Sequence, residues 1–131
     1  MTTPIVDQPP PIPTGRTPIW EIVIAYFEAN SSASDLVSCV LADMRERDAV
    51  GRERYGTPLT SGNGRNHLVD GYQECLDACV YLANELDEHG ASPSAELSDP
   101  YLRRVQLLLR GHLRGLVDLR SLIKEREERG P

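Results

Sequence analysis

The chain has 131 residues, 26% of them charged, and a formal net charge of −6. That length fits one compact domain plus a tail, and the acidic balance argues against binding a nucleic-acid polymer, which needs a basic footprint. No run is long and apolar enough to span a membrane, and the N-terminus lacks the basic-then-apolar order of a signal peptide. Cys39, Cys75 and Cys79 form neither a C-x-x-C nor an even disulfide framework, so a reducing cytoplasm is expected. The charge is uneven: Asp35 to Glu88 carries 5 Arg against 11 acids, whereas His89 onward carries 8 Arg and Lys against 6. The middle suits a cation and the end an anion.

Residues 1–16, "MTTPIVDQPPPIPTGR", are proline-rich without an apolar period and read as an extended or disordered leader. Thr17 then offers an N-cap with Pro18 at the first helical position of a short apolar helix, in which Trp20, Ile24 and Phe27 share one face. "NSSAS" breaks it. A second helix starts near Ser34 or Asp35, with Leu36, Val37, Val40, Leu41 and Met44 as its buried side. It must end by Gly56 and Pro58, because proline disfavours helical backbone at Thr57. "TPLTSGNGRN" is a loop in which Asn63-Gly64 invites positive φ and Asn66 offers the next N-cap.

His67 to about Glu88 predicts a third helix, with Leu68, Tyr72, Cys75, Leu76, Cys79, Ala83 and Leu86 on one side. Gly90 stops it, and "GASPSAELS" links to a long fourth helix capped by Ser98 or Asp99, with Pro100 at its start. Leu102, Val105, Leu109, Leu113, Leu116 and Ile123 form its seam, widened by Leu108, Leu119 and Leu122. No strand pattern or internal repeat is found. The expected fold is all-α, a small bundle of about four helices, divided into a leader (1–16), a helical core (17–90) and a linker with a C-terminal amphipathic helix (91–131).

Three features could carry chemistry. On the third helix Asp70, Glu74, Asp77 and Tyr81 fall on one narrow stripe, and carboxylates so spaced can share Mg²⁺, which takes oxygen ligands. Asp43 and Glu46 on the second helix could face Glu74 and Asp77 if the two helices pack antiparallel. The plainer alternatives are a solvated acidic face and intrahelical ion pairs with the neighbouring arginines. The loop is more specific. Gly56 and Gly64 allow close backbone approach, Tyr55 offers a stacking face, and Arg65 presents a planar fork for phosphate; Pro58 and Asn63 stiffen the turn. Its place before a helix N-terminus adds free N–H groups for an anion. On the fourth helix Arg103, Arg110 and Arg114 cluster within about 40° on a helical wheel, where they could grip phosphates or form a solvated face.

Asp43 to Leu86 resembles a group of small proteins common in bacteriophages and prophages, through Tyr55-Gly56, Pro58-Leu59, Asn63-Gly64-Arg65, Asp70 and "YQECLDACVYL". That group is loosely similar to the MazG-like all-α nucleoside triphosphate pyrophosphohydrolases, whose E-x-x-D motif matches Glu74-x-x-Asp77. Their first motif, E-E-x-x-E, has no counterpart here; Asp43-x-x-Glu46 is the nearest stand-in. The resemblance implies nucleotide handling in a bacterial host. The leading expectation is a homo-oligomer that sequesters a nucleotide-derived ligand, such as an immune signal, without turnover. Tyr55 to Arg65 would then grip the ligand, and Arg103, Arg110 and Arg114 would complete the site. One alternative is a pyrophosphohydrolase holding Mg²⁺ on Asp43, Glu46, Glu74 and Asp77, with Asp70 assisting. Another is a helical protein-interaction module.

Overall fold

The structure, a computed structural model, describes residues 7–130. Its regular elements are four α-helices: α1 (Ile19–Asn30), α2 (Asp35–Tyr55), α3 (His67–Glu88) and α4 (Pro100–Arg129). No strand is present among the described residues, so the all-α expectation holds. None of these helices is long and apolar enough to cross a membrane. Among the described residues, contacts divide the chain at Arg65, with residues 8–65 forming one compact unit and residues 66–130 forming the other. Each unit is a helix pair. The third helix therefore associates with the fourth, where the sequence pattern grouped it with the helices before it.

In residues 8–65, α1 packs on α2. Trp20, Ile24 and Phe27 are the half-buried side of α1, as their spacing requires. The helix begins one residue later than predicted. Pro18 is extended (φ −58°, ψ 133°) because it forms a bridge with Thr60, and Ile19 N–H donates to the Leu59 carbonyl at 2.8 Å. That tertiary pairing outweighs the local preference for proline inside the first turn. Ser34 caps α2, its hydroxyl accepting from Val37 N–H at 3.1 Å. Gly56 ends it at φ 70°, a left-handed cap that glycine takes without steric cost. The buried side is narrower than expected: Leu41 is buried and Val37 and Met44 half-buried, but Leu36 and Val40 face solvent. The exposed ion pairs Glu28–Arg45 (3.5 Å) and Glu21–Arg52 (3.8 Å) flank the pair and add little.

Residues 1–6 of the expected leader lie outside the described residues. The part from 8 to 16 forms no helix or strand, and it is fastened to the loop before α3. Ile12 N–H donates to the Asn63 carbonyl at 3.0 Å. Thr14 Oγ1 lies 2.6 Å from Thr60 Oγ1 and 3.1 Å from the Ser61 carbonyl oxygen. Thr60 and Asn63 are buried beneath it, at 2% and 1% exposure. A proline-rich segment has few donors of its own, so the loop supplies its polar partners through side chains and carbonyls.

In residues 66–130, α3 and α4 close over Cys79, Leu86, Leu102, Val105 and Leu109, with Leu82, Ala83, Ala91, Leu97 and Leu116 around them. Leu86 is fully buried and Ile123 nearly so. Burial on that scale contributes about 1.5–3 kcal/mol per large aliphatic side chain. Asn66 caps α3, and its Oδ1 also accepts from Arg126 Nη1 at 2.9 Å, tying the first turn of α3 to the last of α4. Asp99 caps α4 through Tyr101 N–H at 2.9 Å, ahead of Pro100. Leu113, placed in the seam by its spacing, is instead exposed.

Candidate functional site

The predicted site residues fall into two sets. Tyr55, Gly56, Pro58, Asn63, Gly64 and Arg65 belong to residues 8–65, and Arg103, Arg110 and Arg114 to residues 66–130. Within the first set the loop divides into two functions. Tyr55 and Pro58 line a cleft of about 210 Å³ with Trp20, Pro11, Arg47 and Asp48. The Arg54 guanidinium lies over the Tyr55 ring, 5.3 Å from its centroid. Asp48, half-buried on α2, accepts from Arg52 Nε at 2.9 Å. Gly56 serves as the helix cap described above.

The other half of the loop holds the leader. Arg65 Nη1 donates to the Pro9 carbonyl at 2.7 Å and approaches that of Gln8 at 3.5 Å. Asn63 Oδ1 accepts from Arg65 N–H at 3.1 Å, an Asx turn that sets the arginine's direction. Gly62 and Gly64 take the positive φ values, 70° and 86°. A Cβ on Gly62 would meet the Arg16 guanidinium at 2.8 Å. The rigid, polar stretch that spacing alone presents as a phosphate grip thus spends Arg65, Asn63 and Thr60 on its own chain.

Among the second set the outcome is different. Arg103 and Arg110 line one cleft of about 620 Å³ between α4 and the linker, together with Ser94, Glu96, Leu97, Ser98 and Leu107. Two guanidinium groups lie seven residues apart on the same wall, and Glu96 is the one acid in the lining. Arg114 is absent from it, because the next turn of α4 runs past the linker.

Gln106 builds that cleft. It is only 5% exposed, and its Nε2 donates to the carbonyls of Ala95 (2.8 Å), Pro93 (3.0 Å) and Ser92 (3.4 Å). One buried amide therefore ties the linker down onto α4, and the linker carbonyls satisfy a side-chain donor that would otherwise be costly to bury. Arg110 Nη2 adds a 3.4 Å approach to the Pro93 carbonyl. The sequence pattern overlooked Gln106. Its signal was available: a polar residue on the seam between Leu102 and Leu109.

Of the proposed metal carboxylates, Asp43 and Glu46 lie on α2 in one unit, and Glu74 and Asp77, both exposed, on α3 in the other. Asp70 is half-buried in the first turn of α3. No group of three or more His, Cys, Asp or Glu side chains suited to a metal ion occurs among the described residues. Cys39 is exposed, Cys75 half-buried and Cys79 buried, all as free thiols. Cys75 Sγ lies 3.4 Å from the His112 carbonyl, whose own ring Nδ1 is 2.8 Å from the Leu108 carbonyl. Burial, reinforced by Cys75 one turn away, holds the Cys79 thiol above its ordinary range. No family model, curated protein or solved structure matches the chain.

Proposed function

We propose that this protein binds a phosphate-bearing, nucleotide-derived small molecule and holds it without turnover, with the phosphates between Arg103 and Arg110. The observation that carries this reading is the shared cleft. Two arginines and two serines are among the residues lining a concavity of about 620 Å³, within the range of roughly 300–1,000 Å³ typical of small-molecule sites. Guanidinium forks match phosphate oxygens in charge and planar geometry. Leu97 and Leu107 offer apolar wall for a base or sugar. The Tyr55 cleft is smaller and carries less charge, so the grip moves from the loop to the linker. In this reading the chain works as a homo-oligomer in the reducing cytoplasm of a host bacterium, where three free thiols persist, and a signal nucleotide is the kind of ligand whose retention has a use.

The test is calorimetric titration of the protein with ATP, ADP, ADP-ribose and cyclic dinucleotides, with and without Mg²⁺, followed by chromatography of the ligand released on heating. Micromolar binding of at least one, recovered intact, is expected. Arg103→Ala and Arg110→Ala should each weaken it by about tenfold or more, the loss of one charge-assisted contact. Absence of binding across the panel, or metal-dependent release of monophosphate, would overturn the reading.

A further inference from the structure

The inward seam of α4 follows a 3,4 spacing through Leu102, Val105, Leu109, His112, Leu116, Leu119 and Ile123, all buried or half-buried. A second seam with the same spacing runs one residue out of step, through positions 101, 104, 108, 111, 115, 118 and 122. At about 100° per residue these seven positions occupy an arc of about 100° beside the buried face. Tyr101, Leu108 and Leu122 on it are 55%, 54% and 46% exposed. Apolar residues repeating in heptad register mark a helix that packs along another helix, and Tyr101, Leu108 and Leu122 keep that register on this stripe. Here α3 already occupies the first seam.

Gly111 and Gly115 lie at the middle of the second seam. Glycine within a helix is destabilising relative to alanine, and the chain's own packing requires neither residue. Both have ordinary negative φ, and a Cβ on either would meet nothing within 4 Å. What their smallness permits is close approach by another backbone.

The charges on the seam select the partner. Antiparallel helices bring together residues whose numbers sum to a constant. A sum of 222 to 223 sets Arg104 against Asp118, Leu108 against Gly115 and Tyr101 against Leu122, each pair occurring twice about a twofold axis near Gly111. The same register thus matches opposite charges, seats a leucine on a glycine and pairs two apolar side chains. A parallel pairing would stack Arg104 on Arg104 and Asp118 on Asp118. We propose that this face of α4 pairs antiparallel with the same face of a second copy of the chain, with the axes closest at Gly111. The surface is self-complementary, as an isologous dimer interface must be. The pairing gives a surface to the homo-oligomer of the preceding reading but does not depend on the ligand, and its test reads mass rather than binding.

Light scattering on the full chain at micromolar concentration should give twice the monomer mass of 14.6 kDa. Arg104→Asp and Asp118→Arg should each raise the dimer dissociation constant by about tenfold or more, since each creates two like-charge contacts. The double variant should restore it to within about threefold, the behaviour expected of a direct charge pair. Both positions are exposed, so circular dichroism should show unchanged helix content throughout. A wild-type monomer across that range, or single reversals that leave the dimer intact, would overturn the proposal. So would a double variant no better than the singles.

Discussion

Arg65 reaches across 56 residues of chain to place Nη1 2.7 Å from the carbonyl oxygen of Pro9. The contact joins the end of the loop to the proline-rich segment, and it is one of several that seat residues 8–16. Replacing Arg65 with alanine should loosen the segment from this end. The expected cost is about 1 kcal/mol, reduced from the usual charge-assisted value because the bond is open to solvent. Amide exchange at Ile12, whose N–H bonds the Asn63 carbonyl, should quicken in the variant. Unchanged protection at Ile12 would show that the arginine is not what holds the segment down.

Two glycines in the same unit should respond to alanine in opposite directions. Gly62 has φ 70° and a Cβ there would collide with the Arg16 guanidinium at 2.8 Å. Gly62→Ala should therefore destabilise by about 1–2 kcal/mol. Gly51 lies inside α2 with nothing within 4 Å of an added Cβ. Gly51→Ala should stabilise by about 0.5–1 kcal/mol. Urea midpoints of the two variants check both signs.

At Gln106 the three linker carbonyls make the outcome depend on chemistry more than size. Gln106→Leu removes the amide donor, leaving the Pro93 carbonyl with the 3.4 Å approach of Arg110 and the Ser92 carbonyl with Ala95 N–H at 3.4 Å, and should cost about 1–3 kcal/mol. Gln106→Glu is nearly isosteric, yet it faces carboxylate oxygen toward carbonyl oxygen and should cost at least as much at neutral pH. Acidification that protonates the glutamate should recover part of the loss, because the acid form can donate once. Equal stability of the Glu variant at pH 4 and pH 7, measured against wild type, would contradict this.

Thiol reactivity should follow burial. Alkylation at pH 8, read by peptide mass, should modify Cys39 first, Cys75 more slowly and Cys79 last. Cys79 is held above its ordinary value of 9.0 by burial first and by Cys75 second. The unfolded chain then loses its thiol proton at lower pH than the folded one. The stability linked to Cys79 is complete below pH 9 and declines as pH rises through 9 toward the folded value. Tyr101 acts in the same direction from about pH 10 upward, since its hydroxyl donates a hydrogen bond to the Glu85 carboxylate, oxygen to oxygen 3.0 Å, and that negative charge disfavours its ionisation. A urea midpoint that rises between pH 8 and pH 10.5 would contradict both assignments.

Local chemistry was the legible part of this chain. Ser34, Gly56, Asn66 and Asp99 end or start helices where caps are expected, because a cap depends on residues within one turn. Arg103 and Arg110 could be paired from a helical wheel for the same reason. What escaped depends on distant partners. Pro18 leaves the helix for Thr60, 42 positions away. The use of Arg65 needs the carbonyl of Pro9, and that of Gln106 needs a linker folded back on α4. Leu36, Val40 and Leu113 fit an apolar pattern yet are exposed, since the face a helix buries is set by the partner that packs on it and not by its own spacing alone.

The seating of residues 8–16 also sets an order of events. Thr14 and Thr60, side by side in the finished protein, are 46 positions apart in the chain. At a synthesis rate of about 5–20 residues per second, the ribosome makes the second roughly 2–9 seconds after the first. Until then the nascent prolines have no anchorage. This half of the molecule can lock only when its last-made residues emerge, so a translational pause before Asn63 would prolong exposure of an unfinished clasp.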